Sequence, residues 1–331
     1  MVSNQDIMSK PIQRVTILGT GLVGASIGLA LRAHRFPGSI IGWDRERTQA
    51  GIALSRGALD EISEDPLTAA AGSDLILLAG PVFSIMEWLD LLAPVLRADQ
   101  LVTDVGSVKG AICSHASRNY NGPGQPSFLP GHPMAGKESH GAANADAALF
   151  EGAVWLFTPP PGAGEQPHPS QTKWRGWVTA FGSNILDLDP ARHDELCAWV
   201  SHLPQMLSTA LSALLEDRFS GDEQMRAIGG RALREMTRLG ASPYSMWRDI
   251  AHTNVGTIEP ALLALEQTLT RLRENLRTPG LRELFDQANQ FRSSLTPESA
   301  PSAPGAAAIV ASEPQPGRPV APGRSHSSER P

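Results

Sequence analysis

A doubly wound, parallel α/β sheet followed by an all-helical domain is the fold class this sequence predicts. Three observations predict it: a strand–turn–helix–strand unit near the start, strands alternating with helices to about residue 189, and purely helical periodicity beyond. The unit runs from residue 15 to residue 44. Val15-Thr16-Ile17-Leu18 is a short β-branched run of the kind buried in a parallel sheet. Gly19-Thr20-Gly21-Leu22-Val23-Gly24 matches G-x-G-x-x-G in register, an apolar helical pattern follows, and Ser39-Ile40-Ile41-Gly42-Trp43 reads as the next strand. Gly19 makes the tight turn, Gly21 lets the backbone approach a pyrophosphate, and Gly24 lets helix and strand pack closely. The helix start at Leu22 offers free N–H groups and a positive dipole end to that anion. Asp44 ends the second strand about twenty residues after Gly24, where an acid accepts hydrogen bonds from the adenosine ribose. Residues 11–189 therefore read as a Rossmann-type dinucleotide-binding domain.

The alternation continues in order. Helical patterns at 49–58 and 67–71 precede the strand 75–79, and a helix at 85–96 precedes the strand 101–105. A short helix at 111–117 leads to 128–132, a strand running into a loop. A strand at 153–158, a Pro/Gly loop at 159–170, a helix at 174–181 and a strand at 184–188 complete this half. Pro190 preceded by Asp189 marks a helix start, and residues 190–295 read as a helical substrate and dimerisation domain. Residues 1–10 are expected to be a flexible tail. Residues 296–331, rich in Pro, Ala, Ser and Gly, lack the apolar content to offset ordering entropy and are expected to be disordered.

A chain of 331 residues has room for two cores, and its net charge of −6 provides no basic field for nucleic acid or an anionic membrane. No apolar run approaches the roughly 18 residues that span a bilayer. Cys113 and Cys197 are the only cysteines. They match no metal-ligand spacing and suggest a reducing compartment, so no metal is expected. With no signal peptide visible, a cytoplasmic location is expected.

Three further stretches carry chemistry. Asp104-Val105-Gly106-Ser107-Val108-Lys109 lies at the carboxyl end of an expected strand, where open α/β sheets bind ligands. The same residues would also serve as a helix cap. In Gly131-His132-Pro133-Met134-Ala135-Gly136-Lys137-Glu138-Ser139-His140, the proline disfavours helix at His132. That places His132 in a loop at a strand end, either as a general base or as a surface histidine; His140 reads as surface. In the helical half, His202 and Arg238 lie in otherwise apolar helices. Arg238 either pairs with Glu235 on its own helix or faces a cleft and grips a carboxylate with its planar fork. Spacing alone does not choose.

These stretches, with Leu149-Phe150-Glu151-Gly152, His193-Asp194, Ser201-His202-Leu203-Pro204 and Thr237-Arg238, resemble the signature of the prephenate/arogenate dehydrogenases of tyrosine biosynthesis. The resemblance spans residues 14–290. It implies NAD-dependent oxidative decarboxylation of prephenate to 4-hydroxyphenylpyruvate by a homodimer joined through its helical domains. His132 would be the base, and Ser107 would hydrogen-bond both His132 and the reacting hydroxyl. Arg238, His202, Lys137 and Glu138 would contact a dicarboxylate substrate, and Gly19, Gly21, Leu22, Gly24, Asp44 and Arg45 the cofactor. Asp44 favours NAD, whereas Arg45 would admit the 2′-phosphate of NADP. The chain departs from the family pattern at Lys137, where Thr or Ser is usual, at Gln205, where His is frequent, and at Leu239-Gly240, usually Ile-Ala. The alternatives are arogenate as substrate, a β-hydroxyacid or imine reductase, and a nucleotide sensor without turnover. The β-hydroxyacid reductases use a helical-half lysine, and residues 190–250 contain none.

Overall fold

The computed structural model describes residues 11–137, 139–159 and 168–295. The tails expected at 1–10 and 296–331, most of the loop at 159–170, and Glu138 lie outside the described residues. The chain divides into two compact units between Leu269 and Thr270.

Six strands, β1 (Arg14–Leu18), β2 (Ser39–Trp43), β3 (Glu61–Ile62), β4 (Leu75–Leu78), β5 (Leu101–Asp104) and β6 (Ser127–Leu129), form one sheet in the order β3-β2-β1-β4-β5-β6. Every pairing in it is parallel. The central strands are buried on both faces, which is why β4 reads as an unbroken Leu-Ile-Leu-Leu run. Helices α1 (Leu22–Ala33), α2 (Arg47–Ser55), α3 (Pro66–Ala71), α4 (Val82–Leu92) and α5 (Gly110–Ala116) connect the strands. The order reverses between β1 and β4, so the crevice at their carboxyl ends is where such a sheet binds a ligand.

The α/β half does not close as a single sheet. β7 (Gly131–Pro133), β8 (Val154–Phe157) and β9 (Asn184–Asp187) form a second, three-stranded sheet, with β7 antiparallel and β9 parallel to β8. His132 is therefore a strand residue paired with Leu156, not the loop residue expected. Pro133 pushes its predecessor into extended backbone, which a strand satisfies as well as a loop does, and Pro133 sits on an edge strand as prolines in sheets must. Helix α6 (Pro169–Ala180) starts earlier than the expected residue 174, because Pro169 occupies its first turn and His168 accepts from Ser170 N–H. It buries Trp174 against Trp155 and Phe181, filling the core beside this sheet.

Asp189 accepts from Ala191 N–H at 2.9 Å and starts α7 (Pro190–Cys197). The helix widens into a π turn over Ala198–His202 and continues as α8 (Leu203–Phe219). Pro204 supplies the cause: it has no N–H for the carbonyl four residues back, and its ring crowds that carbonyl. Then follow α9 (Glu223–Ile228), α10 (Arg231–Thr237), a 3₁₀ turn (Arg238–Ala241), α11 (Tyr244–Thr253), α12 (Val255–Glu274) and α13 (Gly280–Ser294). Two buried carboxylates tie α7 and α11 to the α/β half. Asp194 on α7 accepts from Lys109 and Gly110 N–H at 2.7 and 2.8 Å, and Asp249 on α11 accepts from Phe83 N–H at 3.3 Å. Each satisfies N–H groups that α5 and α4 cannot pair internally. Among the described residues, no helix is long and apolar enough to cross a membrane.

Candidate active site

The glycine turn has the geometry its spacing demands. Gly19 has φ +99°, and a Cβ there would lie 2.5 Å from Ala79 O. A Cβ on Gly24 would lie 2.0 Å from Gly19 O, so helix and turn touch only because Gly24 has no side chain. Gly21 differs: a Cβ would meet nothing within 4 Å. It caps α1 without a side-chain hydrogen bond, leaving main-chain donors for a ligand. Asp44 Oδ2 accepts from Thr20 N–H at 2.6 Å and Oδ1 from Glu46 N–H at 2.9 Å, and Oδ1 retains a lone pair. Arg45 is exposed beside it.

A cleft of about 310 Å³ opens beside the turn. Gly21 and Leu22 line it after β1, Gly80 after β4 and Ser107 after β5, with Lys137, His140, Ser242 and Met246 completing the wall. Lys137 pairs with Asp146 at 2.8 Å. His140, read as a surface residue, is exposed but faces this cleft.

Asp104 and Lys109 of the Asp104–Lys109 stretch are scaffold, whereas Val105 and Gly106 line the cleft with Ser107. Lys109 is fully buried, paired with Asp104, and donates to Gly131 O at 2.8 Å. Asp104 accepts from Gly131 N–H at 3.1 Å and from Gly106 N–H at 2.8 Å. The pair clamps the N–H and the carbonyl of Gly131, the residue before His132. Neither Ser107 nor Asp104 caps α5, since Asp194 does.

The partner of His132 is also not the expected one. His132 Nδ1 lies 2.9 Å from His193 Nε2, and His193 Nδ1 lies 2.8 Å from Asp194 Oδ1. A carboxylate only accepts, so His193 donates from Nδ1 and its Nε2 is left as an acceptor. His132 then donates from Nδ1, and its own Nε2 keeps the lone pair. The tautomer of His132 is thus fixed by His193 and Asp194. Burial holds the pKa of both rings below the ordinary histidine value; at His132 the neighbouring His193 and Lys109 add to the effect, and at His193 the Asp194 hydrogen bond opposes it.

His202 is fully buried in the π turn. Asn254 Nδ2 donates to its Nδ1 at 3.2 Å and to Asp194 O at 3.1 Å, so the His202 proton sits on Nε2, which has no partner. Burial lowers its pKa to about 4, making it a neutral donor. Arg238 opens the 3₁₀ turn and is exposed. Its alternative partner Glu235 pairs instead with Arg231, at 2.6 Å. Gln205 anchors this turn, donating to Leu239 O at 2.8 Å and accepting from Ser242 Oγ at 3.2 Å.

Sequence reasoning gave no role to His193, Asp194, Lys109 or Asn254. A His-Asp pair one turn inside a Pro-started helix was a usable signal, because both side chains are costly to bury unpaired.

Residues 27–167 match the family model "Prephenate dehydrogenase, nucleotide-binding domain", and residues 189–290 match "Prephenate dehydrogenase, dimerization domain". Arogenate dehydrogenase from Synechocystis is 30% identical, with a TM-score of 0.68 over 86% of this chain and 100% of that one. The chain belongs to the prephenate/arogenate dehydrogenase family. Aquifex aeolicus prephenate dehydrogenase, solved with hydroxyphenyl propionate and NAD+, is 27% identical, with a TM-score of 0.74 over 86% of this chain and 98% of that one. Prephenate dehydrogenase from Lactococcus lactis is 29% identical over 244 residues, which are 73% of this chain but only 65% of that protein's length.

Proposed function

We propose that the chain oxidises and decarboxylates prephenate with NAD as hydride acceptor. One observation carries the reading: the Asp194–His193–His132 chain leaves a neutral imidazole with its lone pair on Nε2. A base for a hydroxyl proton needs that tautomer.

The residues at the turn suit the cofactor. The open space at Gly21 and the uncapped start of α1 would take the pyrophosphate, with Gly19, Leu22 and Gly24 shaping the turn, and Asp44 would take the ribose. Bound NAD supplies an acceptor for the hydride leaving ring C4. His132 Nε2 accepts the proton of the C4 hydroxyl, and Ser107 hydrogen-bonds that hydroxyl from the cleft wall. His202 donates Nε2–H to a substrate oxygen without bringing charge. Arg238 holds a substrate carboxylate, with Lys137 on the cleft wall, and Glu138 is a further substrate contact by the family pattern. Loss of the ring carboxylate as carbon dioxide makes the product aromatic, so the protein mainly orients the reactants.

We place the border between the nucleotide-binding and helical domains at Asp189, and the protein in the cytoplasm. The helical domain pairs two copies: Trp199, Val200, Leu214 and Phe219 expose apolar surface that a second copy would cover.

Assaying prephenate and arogenate, each with NAD and NADP, tests the reading. Prephenate with NAD should give the highest kcat/KM. Preference for arogenate would correct the substrate, and equal or better use of NADP would overturn the role of Asp44.

A further inference from the structure

Cys197 has no part in the proposed reaction, yet it is 1% exposed and packed against the two rings that do. Its Sγ lies 3.7 Å from His193 Nε2 and 3.9 Å from His132 Nδ1, and those nitrogens are 2.9 Å apart. A tetrahedral zinc ion, with bonds of about 2.0 Å to nitrogen and about 2.3 Å to sulfur, spaces its ligands about 3.3 Å (N···N) and about 3.6 Å (N···S) apart. Shifts of a few tenths of an ångström therefore convert the triangle into three corners of a zinc site. We propose that His132, His193 and Cys197 form a zinc site whose occupation switches off the base.

Three features point to a site for this class of ion. His193 and Cys197 are four residues apart on α7 and so share a face. Asp194 holds the outer nitrogen of His193, the carboxylate–histidine arrangement that orients a ligand ring and raises its basicity. Two imidazoles and a thiolate select a borderline-soft ion such as zinc over magnesium or calcium. Among the described residues, this is the group of three ligating side chains with that geometry. The sequence hid it because one ligand comes from β7, 61 positions before the next.

The consequence follows from where the proton sits. The ion bonds His132 Nδ1, so the proton on that atom is released and Nε2 is protonated instead. The lone pair that would accept the substrate proton is gone. The Cys197 thiol gives one proton to solvent, and no electron changes hands. The loss of turnover rests on the proposed role of His132, whereas the site itself does not.

The test titrates the full-length, metal-free protein with Co²⁺, then Zn²⁺. One equivalent of Co²⁺ should give an intense tetrahedral d–d spectrum with a thiolate charge-transfer band, which Zn²⁺ abolishes. Zn²⁺ should suppress turnover by tenfold or more, and chelation should restore it. Cys197→Ala should keep basal turnover, lose the charge-transfer band and need roughly 10- to 100-fold more zinc for half-inhibition, the scale on which metal sites respond to lost support. Cys197→Ser should match it, which guards against a packing artefact, and Cys113→Ala should behave as wild type. A missing thiolate band in wild type, or equal zinc sensitivity in wild type and Cys197→Ala, would overturn the site. The band without inhibition would keep the site and overturn its control of the base.

Discussion

The glycine turn after β1 and the histidine chain beside β7 are built from different materials. At the turn the binding groups are main-chain N–H donors, and selectivity comes from the side chains that Gly19, Gly21 and Gly24 lack. Such donors carry no titratable proton, so the nucleotide site should be indifferent to pH across the neutral range. At the histidine chain every working group is a buried side chain, and its chemistry depends on which atom holds one proton. Low local dielectric makes such a network strong when satisfied and costly when broken. One region should thus fail by steric intrusion, the other by a change of protonation.

Variants that separate these modes sharpen the contrast. His132→Asn should lower kcat by roughly 100- to 10,000-fold, the range for losing a general base, and leave NAD affinity within about twofold, measured by steady-state kinetics and cofactor titration. If cofactor affinity fell equally, the two regions would not be independent. Acid should act on the histidine side alone. His132, His193 and His202 all have folded pKa values below the ordinary 6.5. The unfolded chain therefore binds more protons below that pH, so stability is complete above pH 6.5 and falls as pH drops toward the folded values. For His202, whose folded pKa is about 4, the loss over that window is on the order of 3 kcal/mol. Tm should fall between pH 7 and pH 4.5, and His202→Gln should flatten the slope. The smallest effect belongs to the exposed Arg238. Arg238→Gln should raise KM for substrate about tenfold, as for one charged hydrogen bond, with Tm and NAD affinity unchanged. A lowered Tm beside an unchanged KM would return Arg238 to the scaffold.

The same contrast governs how much could be read before the fold was known. The nucleotide half announces itself because strand, turn, helix and acid lie within thirty consecutive positions, and each constraint is local. The strand–helix alternation behind the parallel sheet and the helix start at Asp189-Pro190 follow from the same kind of local signal. The histidine chain joins β7 to α7 across 61 positions, and the clamp on Gly131 comes from 22 and 27 positions away. Nothing in the neighbourhood of His132 says which residue fixes its tautomer. Ser107 would hydrogen-bond His132 by the family resemblance alone. It does line the cleft, but His193 reaches the ring. The second sheet escaped notice for a similar reason, since the three-residue strand at His132 is set by its partner β8 and not by periodicity.

His132 is a neutral base with its lone pair on Nε2, held so by His193 and Asp194. Long-range proton–nitrogen NMR of the protein labelled with ¹⁵N-histidine reads the protonated nitrogen of each ring directly. At pH 7 His132 and His193 should be protonated on Nδ1 alone and His202 on Nε2 alone, and His132 should lose its single-tautomer signature in His193→Phe. A proton on Nε2 of His132, a charged His132 ring at pH 7, or a tautomer unchanged by His193→Phe would contradict it.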